Sequence, residues 1–111
     1  MNSIPDLKSA YVRQVLELYL SFSETPARYS RIDRRLAEEF YDRRFEIEQV
    51  ESAMYLAIGR RLMRDQTAPK LGPIRSLHYF LPIIEEVRSV PLSLEYRNYL
   101  RQKVESLHRP G

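Results

Sequence analysis

Glu46-Ile47-Glu48-Gln49-Val50-Glu51-Ser52-Ala53-Met54-Tyr55-Leu56-Ala57-Ile58-Gly59-Arg60-Arg61-Leu62 is the stretch whose reading decides the fold. Ile47, Val50, Met54, Ala57, Ile58 and Leu62 recur at the spacing of one helix face, the clearest apolar stripe in the chain. Glu46, Glu48 and Glu51 lie in the first turns, and Arg60, Arg61 and Arg64 in the last. That order suits the helix dipole, each charge contributing about 0.3–1 kcal/mol. A helix over about 46–65 follows.

Working backwards, Ser30 to Arg43 forms a second helix. Ser30 and Asp33 sit three apart as a variant capping box, and Ile32, Leu36 and Phe40 make the expected core face with Ala37 and Tyr41 beside it. Together these two helices form a helix-turn-helix-like pair over about 30–64. Further upstream, Leu7, Tyr11, Val15, Leu18 and Phe22 mark a helix over about 4–22, which Ser23 to Pro26 breaks. Downstream, Pro69, Gly72 and Pro73 punctuate an expected flexible loop at about 66–72. Ile74, Leu77, Leu81 and Ile84 then predict a fourth helix to Arg88. Pro82 lies inside it and demands a kink, or a break into two short helices. Ser93 caps a last helix to Leu107, with Leu94, Leu100, Val104 and Leu107 expected to be buried. The reading is an all-α compact bundle of four to five helices with a proline-kinked fourth. It forms a single domain over 1–111, with ends frayed at about 1–4 and 108–111.

The 111 residues include no cysteine, which removes disulfides, thiol nucleophiles and thiolate metal sites together. No apolar run approaches the roughly 20 residues of a membrane span, and no signal peptide is evident, so a cytoplasmic protein without a membrane role is expected. The 18 basic and 15 acidic residues leave a net charge of +3, and fifteen of the basic residues are arginine. Arginine's planar fork grips phosphate and carboxylate bidentately and stacks on rings. An anionic partner or an internal arginine–carboxylate lattice would each use it.

In a DNA-reading helix-turn-helix, apolar residues lock the second helix on the first. Ala37, Phe40, Ile47 and Val50 have suitable spacing. The turn would expose Arg43 and Arg44, and Gln49 and Ser52 would face a groove. Arg28, Arg31, Arg34 and Arg35 would join them in a phosphate-gripping surface, with Tyr29 and Tyr41 available for stacking on bases. The opposing reading pairs these arginines with Asp33, Glu38, Glu39, Asp42, Glu46 and Glu48. Where those acids lie decides between the two.

Leu71-Gly72-Pro73-Ile74-Arg75-Ser76-Leu77-His78-Tyr79-Phe80-Leu81-Pro82-Ile83-Ile84-Glu85-Glu86-Val87 delivers a helix in which Tyr79-Phe80 precedes Ile83-Ile84. From Glu46 to Val87 the chain resembles DnaD-like helical domains of bacterial replication-initiation and helicase-loading proteins. Pro82 and the acidic start of the preceding helix depart from that pattern. The resemblance implies DNA binding or contact with a helicase or ATPase, in replication or on a mobile element, and no catalytic residue.

His78 and His108 are the only histidines. A metal site takes about three or four ligands, and no second histidine is near His78 in sequence, so neither metal nor cofactor is expected. No serine, lysine or carboxylate has the local context of a nucleophile or proton-transfer site, so a non-enzymatic protein is expected. Two functions stand: a nucleic-acid-binding accessory protein, or a helical adaptor or homo-oligomer that binds through a Tyr/Arg-rich surface.

Overall fold

The computed structural model describes residues 6–108. The elements are α1 (Leu7–Leu20), α2 (Arg31–Asp42), α3 (Ile47–Leu62), a 3₁₀ turn (Leu77–Phe80), α4 (Leu81–Ser89) and α5 (Leu94–His108). No strand occurs among the described residues. The expected fraying at 1–4 and 108–111 lies outside them except at His108, whose backbone closes α5.

α3 is the central helix: it packs against α1, the 3₁₀ turn, α4 and α5, whereas α2 packs on α1 and the 3₁₀ turn. Half of its residues are buried, from Val50 to Gly59, well beyond the six-residue stripe of the sequence. The core joins Val15 and Tyr19 of α1, Leu36 and Phe40 of α2, Met54 and Ile58 of α3, Leu77 and Phe80 of the turn, Ile84 of α4, and Leu100 and Val104 of α5. Gly59 sets the α3–α5 approach, since a Cβ there would lie 3.3 Å from Leu100 Cδ2.

The proline expectation resolves as a break. The chain turns through 3₁₀ geometry at Leu77–Phe80, and α4 begins at Leu81 with Pro82 in its first turn. There the missing N–H has no helical acceptor to lose and the fixed φ suits the start. Pro82 thus starts a helix and kinks none.

α2 corrects the expected core face. Ile32 is 62% exposed, and Asp33 takes the inward position at 2%. The stripe 32, 36, 40 advances in steps of four, which drift about 40° per step around a helix. The buried arc is Asp33, Leu36, Ala37 and Phe40. Asp33 Oδ2 accepts the Ser30 N–H at 2.9 Å while Ser30 Oγ accepts the Asp33 N–H at 3.1 Å, completing the capping box. Asp33 Oδ1 accepts the buried Leu77 N–H at 2.9 Å. One carboxylate therefore caps α2 and anchors the 3₁₀ turn 44 residues away. On α5, Leu94 and Leu107 are exposed, and only Leu100 and Val104 are fully inward.

The connection after α3 has no regular structure, and side chains tie its backbone. Arg61 donates to Glu24 at 2.9 Å and to the Gly72 carbonyl, and Arg64 donates to the Pro69 carbonyl at 2.9 Å. The Ile74 N–H reaches the Glu24 carbonyl at 3.1 Å. The arginines at the end of α3 thus hold specific groups beyond any benefit from the dipole.

Replacing Asp33 by alanine removes a cap and orphans a buried N–H, so a loss of about 2–4 kcal/mol is expected in urea unfolding, with Asp33→Asn, which keeps one acceptor, losing less. Tyr19 is fully buried and its hydroxyl has no hydrogen-bond partner among the described residues. Burial, reinforced by the Asp33 carboxylate, pushes that hydroxyl up to about 12. An unfolded tyrosine titrates near pH 10, so the stability Tyr19 contributes is complete below about pH 10 and is lost as pH rises to about 12. The urea midpoint is expected to fall across that window, and Tyr19→Phe to flatten the fall while changing neutral-pH stability by no more than about 1 kcal/mol.

Candidate nucleic-acid interface

Arg28, Arg31, Arg34 and Arg35 are all exposed around the start of α2. Asp33, the one acid among them in sequence, is turned into the core. Arg28, Arg31 and Arg35 have no ion-pair or hydrogen-bond partner for their side chains among the described residues, and Arg34 reaches Glu38 only at 3.7 Å. Arg75 is exposed two residues before Leu77, and because Asp33 holds Leu77, the chain carries Arg75 towards this end of α2. Tyr29 and Ile32 lie exposed between the arginines. The result is a compact basic patch with a ring and an aliphatic group set in it.

The acids of α2 share its outer face but occupy the C-terminal half. Lys8 Nζ donates to both Asp42 oxygens, at 2.9 and 3.1 Å, and that bond holds the ammonium above its ordinary value. Arg43 lies 3.6 Å from Glu39 and 3.3 Å from Glu85 on α4. These carboxylates are occupied away from Arg28, Arg31 and Arg35. The arginine–carboxylate pairing therefore holds for Arg43, reaches Arg34 only at 3.7 Å, and leaves Arg28, Arg31 and Arg35 outside it among the described residues.

Arg43 and Arg44 stand apart from the patch, roughly 17 Å along α2. Arg44 has φ 62°, the left-handed region. Its N–H bonds the Tyr41 carbonyl at 2.9 Å and the Phe45 N–H bonds the Phe40 carbonyl at 3.0 Å, while the Phe40 and Phe45 rings meet at 5.3 Å. This is a Schellman ending with arginine where glycine is usual. The left-handed backbone at Arg44 is strained where a glycine would not be. Arg43 and Arg88 lie 4.6 and 4.7 Å from the Phe45 ring centre, and the Tyr11 hydroxyl donates to the Phe45 carbonyl at 2.7 Å.

The expected base-reading residues are not presented. Ser52 is 6% exposed and lines the α3–α5 junction beside Arg97 and Leu100. Gln49 is half-buried, and its Oε1 accepts the Glu46 N–H at 3.3 Å to close the start of α3. The two helices and their four-residue turn exist as expected, but the second helix is the core strut, and Ser52 faces a neighbouring helix. Tyr41 packs edge-on against Tyr11 at 5.4 Å, leaving Tyr29 as the ring beside the arginines. His78 is exposed on the 3₁₀ turn, and no cluster suited to a metal occurs among the described residues. No described helix is long and apolar enough to cross a membrane.

What sequence reasoning missed was the inward turn of Asp33, and the capping box with Ser30 was the available signal. Replacing Arg44 by glycine relieves the left-handed backbone, and a stability gain of about 0.5–1 kcal/mol is expected in thermal or urea unfolding. No protein-family model matches the chain, and no curated protein or solved structure matches it.

Proposed function

We infer that this protein is a small non-enzymatic accessory factor that grips nucleic-acid phosphates through the N-terminal end of α2. The observation that carries the reading is the burial of Asp33, which leaves Arg28, Arg31 and Arg35 without a carboxylate partner among the described residues and Arg34 with Glu38 only at 3.7 Å, while Lys8 and Arg43 occupy Asp42 and Glu39. The positive end of the helix adds to the same field. Contact is by backbone: the patch engages phosphates, with Tyr29 placed to stack on an unpaired base, and no helix is offered to a groove for sequence reading. The resemblance of Glu46 to Val87 to DnaD-like domains supports a setting in replication or on a mobile element, beside a helicase- or ATPase-type partner, within the cytoplasm.

A second reading, a helical adaptor, has its own support on α5. Tyr96 and Tyr99 stack at 5.9 Å, and with Leu94 and Leu107 they give that helix an exposed apolar and aromatic surface. Tyrosine is a favoured anchor of protein interfaces.

A patch of about three to four arginine–phosphate contacts predicts a slope of log K against log salt of about −3 for duplex and shallower for single strands. Titrating the protein into labelled DNA at several salt concentrations measures it. The triple change Arg28→Ala, Arg31→Ala, Arg35→Ala is expected to flatten the slope and weaken binding, while Arg60→Ala, which breaks only the pair with Glu86, leaves both unchanged. Equal affinity for the triple variant and the parent would remove the nucleic-acid reading.

A further inference from the structure

The charges on the outer ridge of α2 are symmetric in position and opposite in sign about the Leu36–Ala37 bond. Arg35 and Glu38 lie equally far from it, as do Arg34 and Glu39, and Arg31 and Asp42. All six belong to the arc away from the buried Asp33, Leu36, Ala37 and Phe40. A lone helix gains little from this order. Cationic groups in the first turn oppose the dipole, and base-before-acid at i, i+4 is the weaker orientation of a helical ion pair. Arg34 and Glu38 accordingly stand 3.7 Å apart, and Arg35 makes no pair with Glu39. A second α2 running antiparallel reverses each of these drawbacks. Its acidic half covers the basic half of the first and the reverse, and the two helix dipoles oppose.

We propose that two copies of this chain associate through their α2 ridges about a two-fold axis near Leu36–Ala37. Arg31 comes opposite Asp42 of the second copy, where it joins Lys8 on that carboxylate, and Arg34 and Arg35 come opposite its Glu39 and Glu38 respectively. Such an interface is isologous, each pair occurring twice. It spans one helix of about 18 Å, so it is small, and its charges are exposed; the dimer is weak, concentration-dependent and weakened by salt. Resting on the nucleic-acid reading above, it has a regulatory consequence. The arginines that grip phosphate are those that hold the second copy, so dimer and nucleic-acid complex exclude each other.

Sedimentation of the full chain across a range of concentrations, at low and high salt, tests the association. The parent is expected to approach twice its monomer mass at low salt and to revert at high salt. A variant carrying Arg31→Asp, Arg34→Glu and Arg35→Glu, and another carrying Glu38→Arg, Glu39→Arg and Asp42→Arg, should each stay monomeric. Mixed together they should form a heterodimer, and circular dichroism verifies that each is folded. A milder pair, Arg35→Glu and Glu38→Arg, repeats the test should a triple variant unfold. A parent monomeric at every concentration in low salt overturns the proposal, as does failure of the mixed variants to associate. Association without DNA binding by the parent would leave the dimer standing and remove the nucleic-acid reading. DNA binding by a protein that never dimerises would do the reverse. If both stand, adding DNA should lower the dimer fraction, and DNA bound on an intact dimer would overturn the exclusion.

Discussion

The Asp33 carboxylate is the constraint on which the rest of this structure depends. It lies in the core and is satisfied by two backbone donors, the N–H groups of Ser30 and Leu77. Such charge-assisted bonds are shorter and stronger than neutral ones, and they offset the cost of removing a carboxylate from water. They also join parts of the chain that regular structure does not. α2 makes its main contacts with α1 and the 3₁₀ turn, and the turn also packs on α3 and α4. With Leu77 anchored, Phe80 reaches the core, its ring edge-on to Tyr19 at 6.1 Å, and α4 starts where Pro82 fits. The same inward turn takes a negative charge off the surface at the start of α2. A stability device and a surface field thus come from one side chain.

Much of the fold was legible because α3 is so strongly periodic. Its stripe placed a long helix, and the short links on either side placed neighbours against it. The break at Pro82 and the capping box at Ser30 follow from rules of backbone geometry that tolerate little tertiary revision. What failed depended on packing partners. Ile32 looked like core because it is apolar and four residues from Leu36, but the arc that meets α1 and the 3₁₀ turn is centred on the other side. Leu94 and Leu107 looked buried because they are apolar, yet only Leu100 and Val104 sit against α3 at Gly59. Ser52 looked outward because a helix-turn-helix would present it; the chain instead wraps α1, α4 and α5 around that helix.

The arginine excess divides by partner. Arg60 and Arg61 bind Glu86 and Glu24, Arg61 and Arg64 close the loop on carbonyls, Arg101 reaches Glu51, and Arg43 and Arg88 lie over Phe45. Each uses the planar fork or the ring-stacking face that lysine lacks. Exposed pairs of this kind add little stability singly, so their importance is geometric: they set the positions of loops and helix ends. Among the described residues Arg28, Arg31 and Arg35 have no such employment and Arg34 only a 3.7 Å approach to Glu38, and that separates them from the other groups by structure where the sequence offered only proximity.

α5 is attached through Leu100 and Val104, seated where Gly59 presents no side chain, with the Arg101–Glu51 pair at its side. Few buried apolar groups hold a helix of 15 residues. Local stability follows buried contact, so this helix belongs to the low end of the molecule's opening energies, while α3 belongs to the top. Amide exchange in α5 is therefore expected to run ahead of that in the core around α3.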